Sequence, residues 1–284
     1  MPQQATCPPV PVPTPGQGKT LIIGVLNVTP DSFCDGGRYP TLRHLRDAAE
    51  AMIAHGAHIL DIGGESSRPG AYPVSPEEER HRVLPAIEAL RDLGVALSVD
   101  TWRAATARAA LEAGAAMIND ITGLRGDPEM AGVIAEAGCP AVVMHMQGLP
   151  QTMQAAPHYH DVVGEVAGFF EERIAALTDQ GVKREQLWLD PGFGFGKTVA
   201  HNLELLRRLA EFRRFGLPLL LGTSNKSTIG AVLGLPVEDR LEGTAATVAI
   251  GICNGADAVR VHDVKAMARV AAMSDAILHG WNAG

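Results

Sequence analysis

Polar and ionisable side chains that could bind a ligand or take part in catalysis recur at the ends of short apolar runs throughout this sequence. They are Asn27, Asp61, Asp100, Asn119, His145, Asp190, Ser224, Lys226, Arg260 and His262. A carboxylate held among apolar residues needs hydrogen-bond donors, because an unpaired buried charge is costly. A flat heterocycle with an amidine-like N–H edge would supply two donors to one aspartate, and Lys226 could donate to its ring acceptors. The alternative is an internal ion pair, in which Lys226 bridges to Asp190 or Asp100.

The last two of these runs are followed by hydroxyl and basic side chains. They are Ser224, Lys226, Ser227, Arg260 and His262, and Arg68 adds a cation from the loop after the second run. Loops after the seventh and eighth strands of a barrel commonly bind phosphate, so this set predicts a diphosphate cradle. The alternative, that Arg260 pairs with Asp257 or Asp263 at the surface, is disfavoured because Arg260 lies within an apolar run.

The glycine-rich segment 192–198 ends in Gly196-Lys197-Thr198, which resembles the end of a phosphate-binding P-loop. A P-loop requires glycine five residues before its Gly-Lys-Thr, and that position is Pro191. The motif also follows the sixth run rather than the first, and we therefore exclude a nucleotide site. We expect the segment to bring Phe193 and Phe195 to the site, as an apolar floor for an aromatic co-substrate.

Eight apolar runs alternate with stretches of helical spacing, and this alternation predicts the elements that position these residues. The runs span residues 21–26, 58–62, 96–99, 117–118, 141–144, 187–189, 219–221 and 258–261. The helical stretches include 42–55, 76–93, 104–113, 128–137, 162–180, 203–212 and 241–253, and several end in glycine, as a left-handed helix cap requires. Eight strand–helix units predict an α/β fold, a single (β/α)₈ TIM barrel with its site at the C-terminal strand ends. An open doubly wound sheet is the rival, but its glycine-rich turn would follow the first strand, where the sequence is Asn27-Val28-Thr29-Pro30.

Composition and charge limit the partners of this chain. With 46% hydrophobic and 20% charged residues among 284, it is a packed globular protein. The net charge of −8 argues against nucleic acid as a partner and leaves one basic pocket for a small anion. Four cysteines without CxxC pairs predict free thiols in a reducing compartment. No signal-peptide pattern and no bilayer-length apolar stretch is present, so we expect a cytoplasmic protein without a membrane partner.

The first 18 residues differ in composition from the rest of the chain. They are rich in proline and glutamine and contain no charged side chain. Such a segment cannot bury enough apolar surface to offset the entropy of ordering it. We therefore expect a disordered tail over residues 1–18 and one barrel domain over residues 19–284.

Seven motifs, spread from residue 21 to about residue 278, resemble those of the dihydropteroate synthase family. In chain order they are Asn27-Val28-Thr29-Pro30-Asp31-Ser32-Phe33, Gly64-Glu65-Ser66-Ser67-Arg68-Pro69-Gly70, Ser98-Val99-Asp100-Thr101, Asn119-Asp120-Ile121, Met144-His145-Met146-Gln147-Gly148, Asp190-Pro191-Gly192-Phe193-Gly194-Phe195-Gly196-Lys197 and Arg260-Val261-His262-Asp263-Val264. Some of these motifs are weak alone, but jointly they are highly specific.

This resemblance implies condensation of 6-hydroxymethyl-7,8-dihydropterin diphosphate with 4-aminobenzoate, giving 7,8-dihydropteroate and diphosphate. It further implies a pterin site made of Asp100, Asn119, Asp190 and Lys226. By the same resemblance, the diphosphate side is held by Arg260, His262, Ser67 and Asn27, with Mg²⁺ near Asn27. The resemblance also implies a homodimer formed through outer barrel helices, and a 4-aminobenzoate pocket that is the sulfonamide target.

The chemistry expected from the resemblance is dissociative substitution at the pterin methylene, without a covalent enzyme intermediate. Lys226, Arg260, His262 and Mg²⁺ would stabilise the departing diphosphate, which is an electrostatic task. Asp35 or Asp100 would stabilise the methylene cation. We therefore take Lys226, Asp35 and Asp100 as the candidate catalytic residues.

The chain departs from the family pattern at two positions. The family usually has Ser-Arg-Lys-Ser after the seventh strand, whereas this chain has Ser224-Asn225-Lys226-Ser227. Asn225 removes a fixed cation beside Lys226, and we expect catalysis to be weakened without being lost. The loop after the second strand has Ser66-Ser67 where Ser-Thr is commoner, which removes one methyl group.

Three other functions fit parts of the pattern. A pterin-dependent methyltransferase would share the barrel and the pterin pocket, but it would not need cations around a leaving diphosphate. A lyase could use Lys226 as a Schiff base, although a loop position does not place it in an apolar strand that would lower its pKa. A non-catalytic pterin-binding protein is the third alternative, and product formation separates it from an enzyme.

Overall fold

The computed structural model of this chain describes residues 8–16, 18–29, 42–66 and 70–281. The strands in this part are β1 (Leu21–Asn27), β2 (Ile59–Gly63), β3 (Ala96–Asp100), β4 (Met117–Asp120), β5 (Ala141–Met144), β6 (Leu187–Asp190), β7 (Leu220–Leu221) and β8 (Ala258–Val261). The helices are α1 (Leu42–Ala54), α2 (Pro76–Leu90), α3 (Ala104–Ala113), α4 (Met130–Ala137), α5 (Val162–Asp179), α6 (Val199–Arg207), α7 (Ser227–Leu233), α8 (Leu241–Cys253) and α9 (Val264–His279). Within the described ranges, no helix combines the length and apolar character that a membrane crossing requires.

The strands form one parallel sheet in the order β6-β5-β4-β3-β2-β1-β8-β7. A parallel bridge between Leu189 and Leu219 joins β6 to the residue preceding β7, and Leu189 N donates to Pro218 O at 2.8 Å. This contact brings the two edges of the sheet together. The predicted (β/α)₈ TIM barrel is confirmed, and each strand points its C-terminal end towards the same mouth.

One predicted helix is displaced along the chain, whereas the ends of the others differ from the prediction by at most three residues. The spacing predicts a helix over 203–212, whereas α6 begins at Val199 and ends at Arg207, and a 3₁₀ turn (Leu209–Phe215) follows it. The earlier start is set by Thr198, whose hydroxyl accepts a hydrogen bond from His201 N at 3.2 Å and caps the helix. The predicted left-handed glycine caps are confirmed, for example at Gly114 (φ 120°) and Gly138 (φ 68°).

The barrel interior is layered, and this layering places the site. Inward-facing residues near the start of the strands form an apolar cluster of Leu21, Ile23, Ile59, Ala96, Met117, Val142, Trp188, Leu220 and Ala258. Side chains of a strand alternate between its two faces, so the residue two positions later faces inward as well. In four strands that later residue carries a charge or an amide: Asp61, Asn119, Asp190 and Arg260. The apolar cluster therefore supports a polar layer directly beneath the barrel mouth.

Part of the N-terminal segment lies against the closed end of the barrel. Residues 8–16 form neither helix nor strand, as expected of a segment rich in proline. The side chain of Val12 nevertheless packs against the apolar cluster inside the barrel. Within the predicted tail, the described residues around Val12 therefore cover the end of the barrel opposite the mouth.

Candidate active site

Arg260 lies in the polar layer and pairs with two carboxylates, one from β2 and one from β3. Its Nε donates to Asp61 Oδ2 at 2.6 Å, and its Nη2 donates to Asp100 Oδ2 at 2.9 Å. Asn119 Nδ2 donates to the same Asp61 oxygen at 3.0 Å. Asp61 is fully buried, so it depends on these donors in place of water. The network fixes the positions of Arg260, Asp100 and Asn119 relative to one another.

The surface alternative for Arg260 is wrong. Asp257 pairs with Arg213 at 3.0 Å, and Asp263 accepts a hydrogen bond from Ala266 N and caps α9. Asp61 was predicted to stand at a strand end, but no role was predicted for it. Its position two residues after the inward-facing Ile59 is the signal that could have identified it as a partner inside the barrel.

Burial controls the charge of two aspartates in the site. Burial raises the pKa of Asp100 to about 7, although the charge of Arg260 opposes this rise. Burial also raises the pKa of Asp190, whose Oδ1 accepts a hydrogen bond from Gly192 N at 2.7 Å. A hydrogen bond to a carboxylate favours its charged form, so a ligand that donates N–H groups would lower both pKa values.

Lys226 contacts an aromatic ring instead of a carboxylate. Its Nζ lies 4.1 Å from the centre of the Phe195 ring, a cation–π distance. Across the described residues, neither Asp100 nor Asp190 forms an ion pair with it, so the alternative of an internal ion pair is wrong. Burial, followed by the charge of Arg260, lowers the pKa of Lys226 to about 8. The expectation that a loop position would leave this pKa near its usual value is wrong.

The rim beside Lys226 carries a serine–histidine pair. Ser224 Oγ lies 2.9 Å from His262 Nδ1, and it accepts a hydrogen bond from His262 N at 3.2 Å. Ser224 is buried, whereas His262 is exposed at the end of β8. Together with Arg260, these two residues present polar hydrogens at the strand ends where an anion cradle is predicted.

The two phenylalanines after β6 face different environments. Phe195 joins a small apolar cluster at the mouth, made of Ile121, Met144, Met146 and Met153. Phe193 is 1% exposed and packs in the main core between strands and helices. The expectation that both rings line the mouth is therefore wrong for Phe193. The intervening Gly194 has φ +87°, and this left-handed conformation turns the chain between the two rings.

Asn225 adopts a left-handed backbone conformation with φ 57°. Its N–H donates to Thr244 Oγ1 at 3.2 Å, and its carbonyl accepts from Arg240 Nη1 at 2.9 Å. Asparagine occupies this region more readily than most residues with a side chain. The backbone geometry therefore gives a physical reason for asparagine beside Lys226.

Asn27 is the one remaining predicted site residue that lies within the described ranges. Asn27 is half-buried at the end of β1, where it pairs in register with Gly63 of β2. A Cβ placed on Gly63 would lie 3.4 Å from Asn27 Oδ1 and 3.7 Å from Asp100 Cβ. The Asn27 carboxamide and the Asp100 side chain therefore both border Gly63. The predicted residues Asp35, Ser67 and Arg68 lie outside the described residues.

The chain is similar to known proteins over most of its length. Residues 23–262 match the protein family described as pterin binding enzyme. The chain is 48% identical over 278 residues to the dihydropteroate synthase of Synechocystis sp., covering 95% of each chain. It is 49% identical over 262 residues to the dihydropteroate synthase of Bacillus subtilis, covering 92% of this chain and 90% of that relative.

Solved structures of similar sequence share the fold. The Yersinia pestis dihydropteroate synthase, solved as a complex with a sulfonamide drug, superposes with a TM-score of 0.87 at 44% identity, covering 92% of this chain and 94% of that chain. The Xanthomonas albilineans dihydropteroate synthase, solved in complex with 7,8-dihydropteroate, gives a TM-score of 0.83 at 39% identity, covering 92% of this chain and 94% of that chain.

Proposed function

The chain belongs to the dihydropteroate synthase family of pterin-binding enzymes, and from this membership we propose that it is a transferase that condenses 6-hydroxymethyl-7,8-dihydropterin diphosphate with 4-aminobenzoate. The products are 7,8-dihydropteroate and diphosphate. One structural feature supports this above all: a polar layer of buried carboxylates around Arg260 lies beneath the barrel mouth. Such a layer suits a flat heterocycle that is rich in N–H donors and carries an anion.

The pterin binds to the carboxylates and the amide of the polar layer. Asp190 accepts two hydrogen bonds from the 2-amino-pyrimidinone edge, while Gly192 N holds one of its oxygens in place at 2.7 Å. Asn119, held by Asp61 at 3.0 Å, contacts the ring beside it. The pKa of Lys226, about 8, leaves its ammonium group charged at neutral pH. When the pterin binds, this group moves away from the face of the Phe195 ring and donates a hydrogen bond to an acceptor atom of the pterin ring.

The diphosphate lies at the rim, on the side of β7 and β8. Arg260, Ser224 and His262 provide its hydrogen-bond donors in the described part of the site, and Ser67 and Arg68 complete the cradle. The carbon–oxygen bond of the pterin methylene breaks, and its electron pair leaves with the diphosphate. Lys226 and Arg260 stabilise that developing negative charge, and Asp35 or Asp100 stabilises the methylene cation.

The amine of 4-aminobenzoate then attacks the methylene carbon, and a carbon–nitrogen bond forms as the nitrogen releases a proton to solvent. Phe195 and the three methionines of its cluster form an apolar surface for the aromatic ring. Because Phe195 also contacts Lys226, the two substrate positions are adjacent. No enzyme nucleophile takes part, and no covalent enzyme intermediate forms.

We propose Mg²⁺ as the cofactor, with Asn27 as its protein ligand. The Asn27 carboxamide provides a hard oxygen beside Gly63, at the end of β1. Mg²⁺ keeps several waters and binds through one or two protein oxygens together with substrate phosphates. The phosphate oxygens of the substrate and bound waters would supply the other ligands. The bound ion would neutralise charge on the leaving diphosphate.

We also propose a homodimer formed through α8 and α9. Large apolar side chains are exposed on these two adjacent helices: Leu241 (40%), Ile250 (49%), Met273 (63%) and Ile277 (69%). Large apolar side chains exposed on two adjacent helices are typical of an association site. Ile277→Asp should convert the dimer to a monomer in sedimentation velocity, whereas Leu203→Asp on α6 should leave it dimeric. A wild-type monomer at micromolar concentration would refute the assignment.

The cytoplasmic location expected from the sequence stays a prediction.

The function is tested by incubating the protein with both substrates and Mg²⁺ and measuring diphosphate release and dihydropteroate formation. Omission of 4-aminobenzoate should abolish dihydropteroate formation, and EDTA should slow the reaction. A protein that binds the pterin diphosphate in calorimetry but releases no diphosphate would instead be a non-catalytic pterin-binding protein.

A further inference from the structure

Lys197 is a buried charged residue to which the proposed mechanism gives no role. Its side chain is 3% exposed, in the glycine-rich segment between β6 and α6. It belongs to the Gly196-Lys197-Thr198 motif. This motif is not a P-loop, because Pro191 occupies the position where a P-loop has glycine. Its ammonium group is surrounded by acceptors of the protein itself, which is unlike the lysine of a phosphate site.

The hydrogen-bonding capacity of this ammonium group is fully used. Nζ donates to Gly192 O and to Phe195 O, at 3.0 Å each, and lies 3.0 Å from His145 Nδ1. The His145 carbonyl oxygen is slightly farther away, at 3.4 Å. An ammonium group has three N–H donors and no acceptor, so the three nearest acceptors satisfy it.

The charge in this cluster belongs to Lys197 rather than to His145. Burial, followed by the charge of Lys197, lowers the pKa of His145 well below its usual range, so the imidazole is neutral. Its Nδ1 is therefore the acceptor for Lys197, and the ring proton lies on Nε2. Burial lowers the pKa of Lys197 to about 7, and the charge of Asp190 opposes this shift.

The two carbonyls that Lys197 binds belong to a turn that carries parts of both substrate sites. In this turn, Gly192 N donates to the carboxylate of Asp190 at 2.7 Å, and the Phe195 ring contacts Lys226. Gly192 has φ +69°, and a Cβ at this position would overlap the His145 carbonyl oxygen. The turn therefore lies directly on the end of β5, and Lys197 joins the two.

We propose that Lys197 is a positioning residue: it fixes the turn of residues 192–195 onto His145 at the end of β5, and so sets the places of the Asp190 carboxylate and the Phe195 ring. The identity of the two ligands affected rests on the proposed function. The contacts of the turn itself do not depend on it. Lys197 acts through Asp190 and Phe195, without touching either substrate.

Lys197→Met tests this role, because methionine keeps the unbranched apolar stem and removes all three donors. We expect the Kd for the pterin diphosphate and the KM for the aminobenzoate substrate to rise at least fivefold each, because both depend on the turn. At saturating substrates, the fold decrease in kcat should be smaller than the fold increase in the Kd or in the KM. Lys183→Met, which makes the same substitution at an exposed position before β6, should change none of these values.

Two results would overturn the proposal. In the first, the melting temperature of Lys197→Met falls while the Kd and KM values for the folded protein stay at wild-type levels, which would make Lys197 merely structural. In the second, kcat falls alone, which would give Lys197 a part in the chemistry. Absence of turnover in the wild type would refute the proposed function but would leave the comparison of pterin Kd values intact.

A measurement on the wild-type protein keeps the test independent of variant folding. In ¹⁵N NMR at about pH 6, where Lys197 is charged, we expect His145 as the neutral tautomer protonated at Nε2. We also expect one lysine ammonium group whose hydrogens exchange slowly with water, since Lys197 is buried and fully hydrogen-bonded. A proton on His145 Nδ1, or exchange at Lys197 as fast as at Lys183, would refute the proposed contacts.

Discussion

The guanidinium of Arg260 and the carboxylate of Asp61 form an ion pair inside the barrel, with Nε and Oδ2 2.6 Å apart. The two residues are 199 positions apart in the sequence, and strand β1 lies between their strands. The Asp61 side chain is completely buried, whereas that of Arg260 is 21% exposed towards the mouth. Asp61 therefore anchors a cation that still has a face available to a ligand.

Asp61→Ala should lower the free energy of unfolding by about 3 kcal/mol, because breaking a buried ion pair leaves a charge without its partner. This decrease in the free energy of unfolding should lie at the lower end of the range that is usual for breaking a buried ion pair, since Arg260 keeps its contact with Asp100 at 2.9 Å. Urea unfolding measures the change. Glu136→Ala removes an exposed partner of Arg108 and should cost no more than about 1 kcal/mol. Equal losses in the two variants would contradict the role of Asp61.

Asp190→Ala should abolish pterin binding at micromolar ligand. The substitution leaves two ligand N–H donors without an acceptor in a buried site, at about 1–3 kcal/mol each. Isothermal calorimetry with the pterin diphosphate measures the effect, and circular dichroism verifies that the variant is folded. Asp92→Ala, which removes an exposed carboxylate paired with Arg46, should bind the pterin normally. Normal pterin binding by folded Asp190→Ala would refute the assignment.

Lys226 should make the stability of the protein increase with pH above neutrality. Its pKa is about 8 in the folded protein, where burial and Arg260 lower it against the charges of Asp190 and Asp100, compared with 10.5 ordinarily. Between these values the unfolded chain binds more protons, so the free energy of unfolding rises with pH. From about pH 7 to about pH 8.5 this contribution is roughly 1 kcal/mol.

Lys226→Met removes that contribution, and its unfolding free energy should therefore depend less steeply on pH than that of the wild type. Urea unfolding of both proteins at the two pH values gives the comparison. The same pH dependence in both would show that Lys226 keeps an ordinary pKa in the folded state.

Asn225→Ala should lower the free energy of unfolding by about 1 kcal/mol, because alanine is disfavoured in the left-handed region that Asn225 occupies. Asn225→Gly should change it by less than about 0.5 kcal/mol, since glycine adopts this conformation freely. Thermal unfolding of the two variants measures the difference. A larger loss for glycine than for alanine would mean that the Asn225 side chain, rather than its backbone conformation, stabilises this turn.

Asn225→Arg should raise kcat/KM several-fold and steepen its decline with salt, because it restores a cation beside the leaving diphosphate. The gain should be accompanied by a stability loss of about 1 kcal/mol from the left-handed backbone. Steady-state kinetics at two ionic strengths, with Asn225→Gln as the uncharged control, measure the effect. An unchanged or lower kcat/KM would show that the loop is adapted to asparagine.

The barrel and the residues at its mouth follow from the pattern of the sequence alone. Apolar runs alternate with helical spacing eight times, and parallel strands necessarily bring their C-terminal ends to one side of the sheet. The same alternation predicts Asp100, Asn119, Asp190, Lys226 and Arg260 as neighbours without knowledge of any contact. Each of these predictions depends on local periodicity and on the direction of the chain, both of which a sequence contains.

The pairing of side chains and the burial of charges, by contrast, depend on the folded chain. Asp61 became the partner of Arg260 because β8 pairs with β1, so that only one strand separates it from β2. Phe193 and Phe195 separated because a left-handed glycine turns the chain between them. Lys197 and Lys226 have lowered pKa values because segments remote in sequence exclude water from them. Pairing and desolvation depend on distances between remote segments, and a linear pattern does not specify those distances.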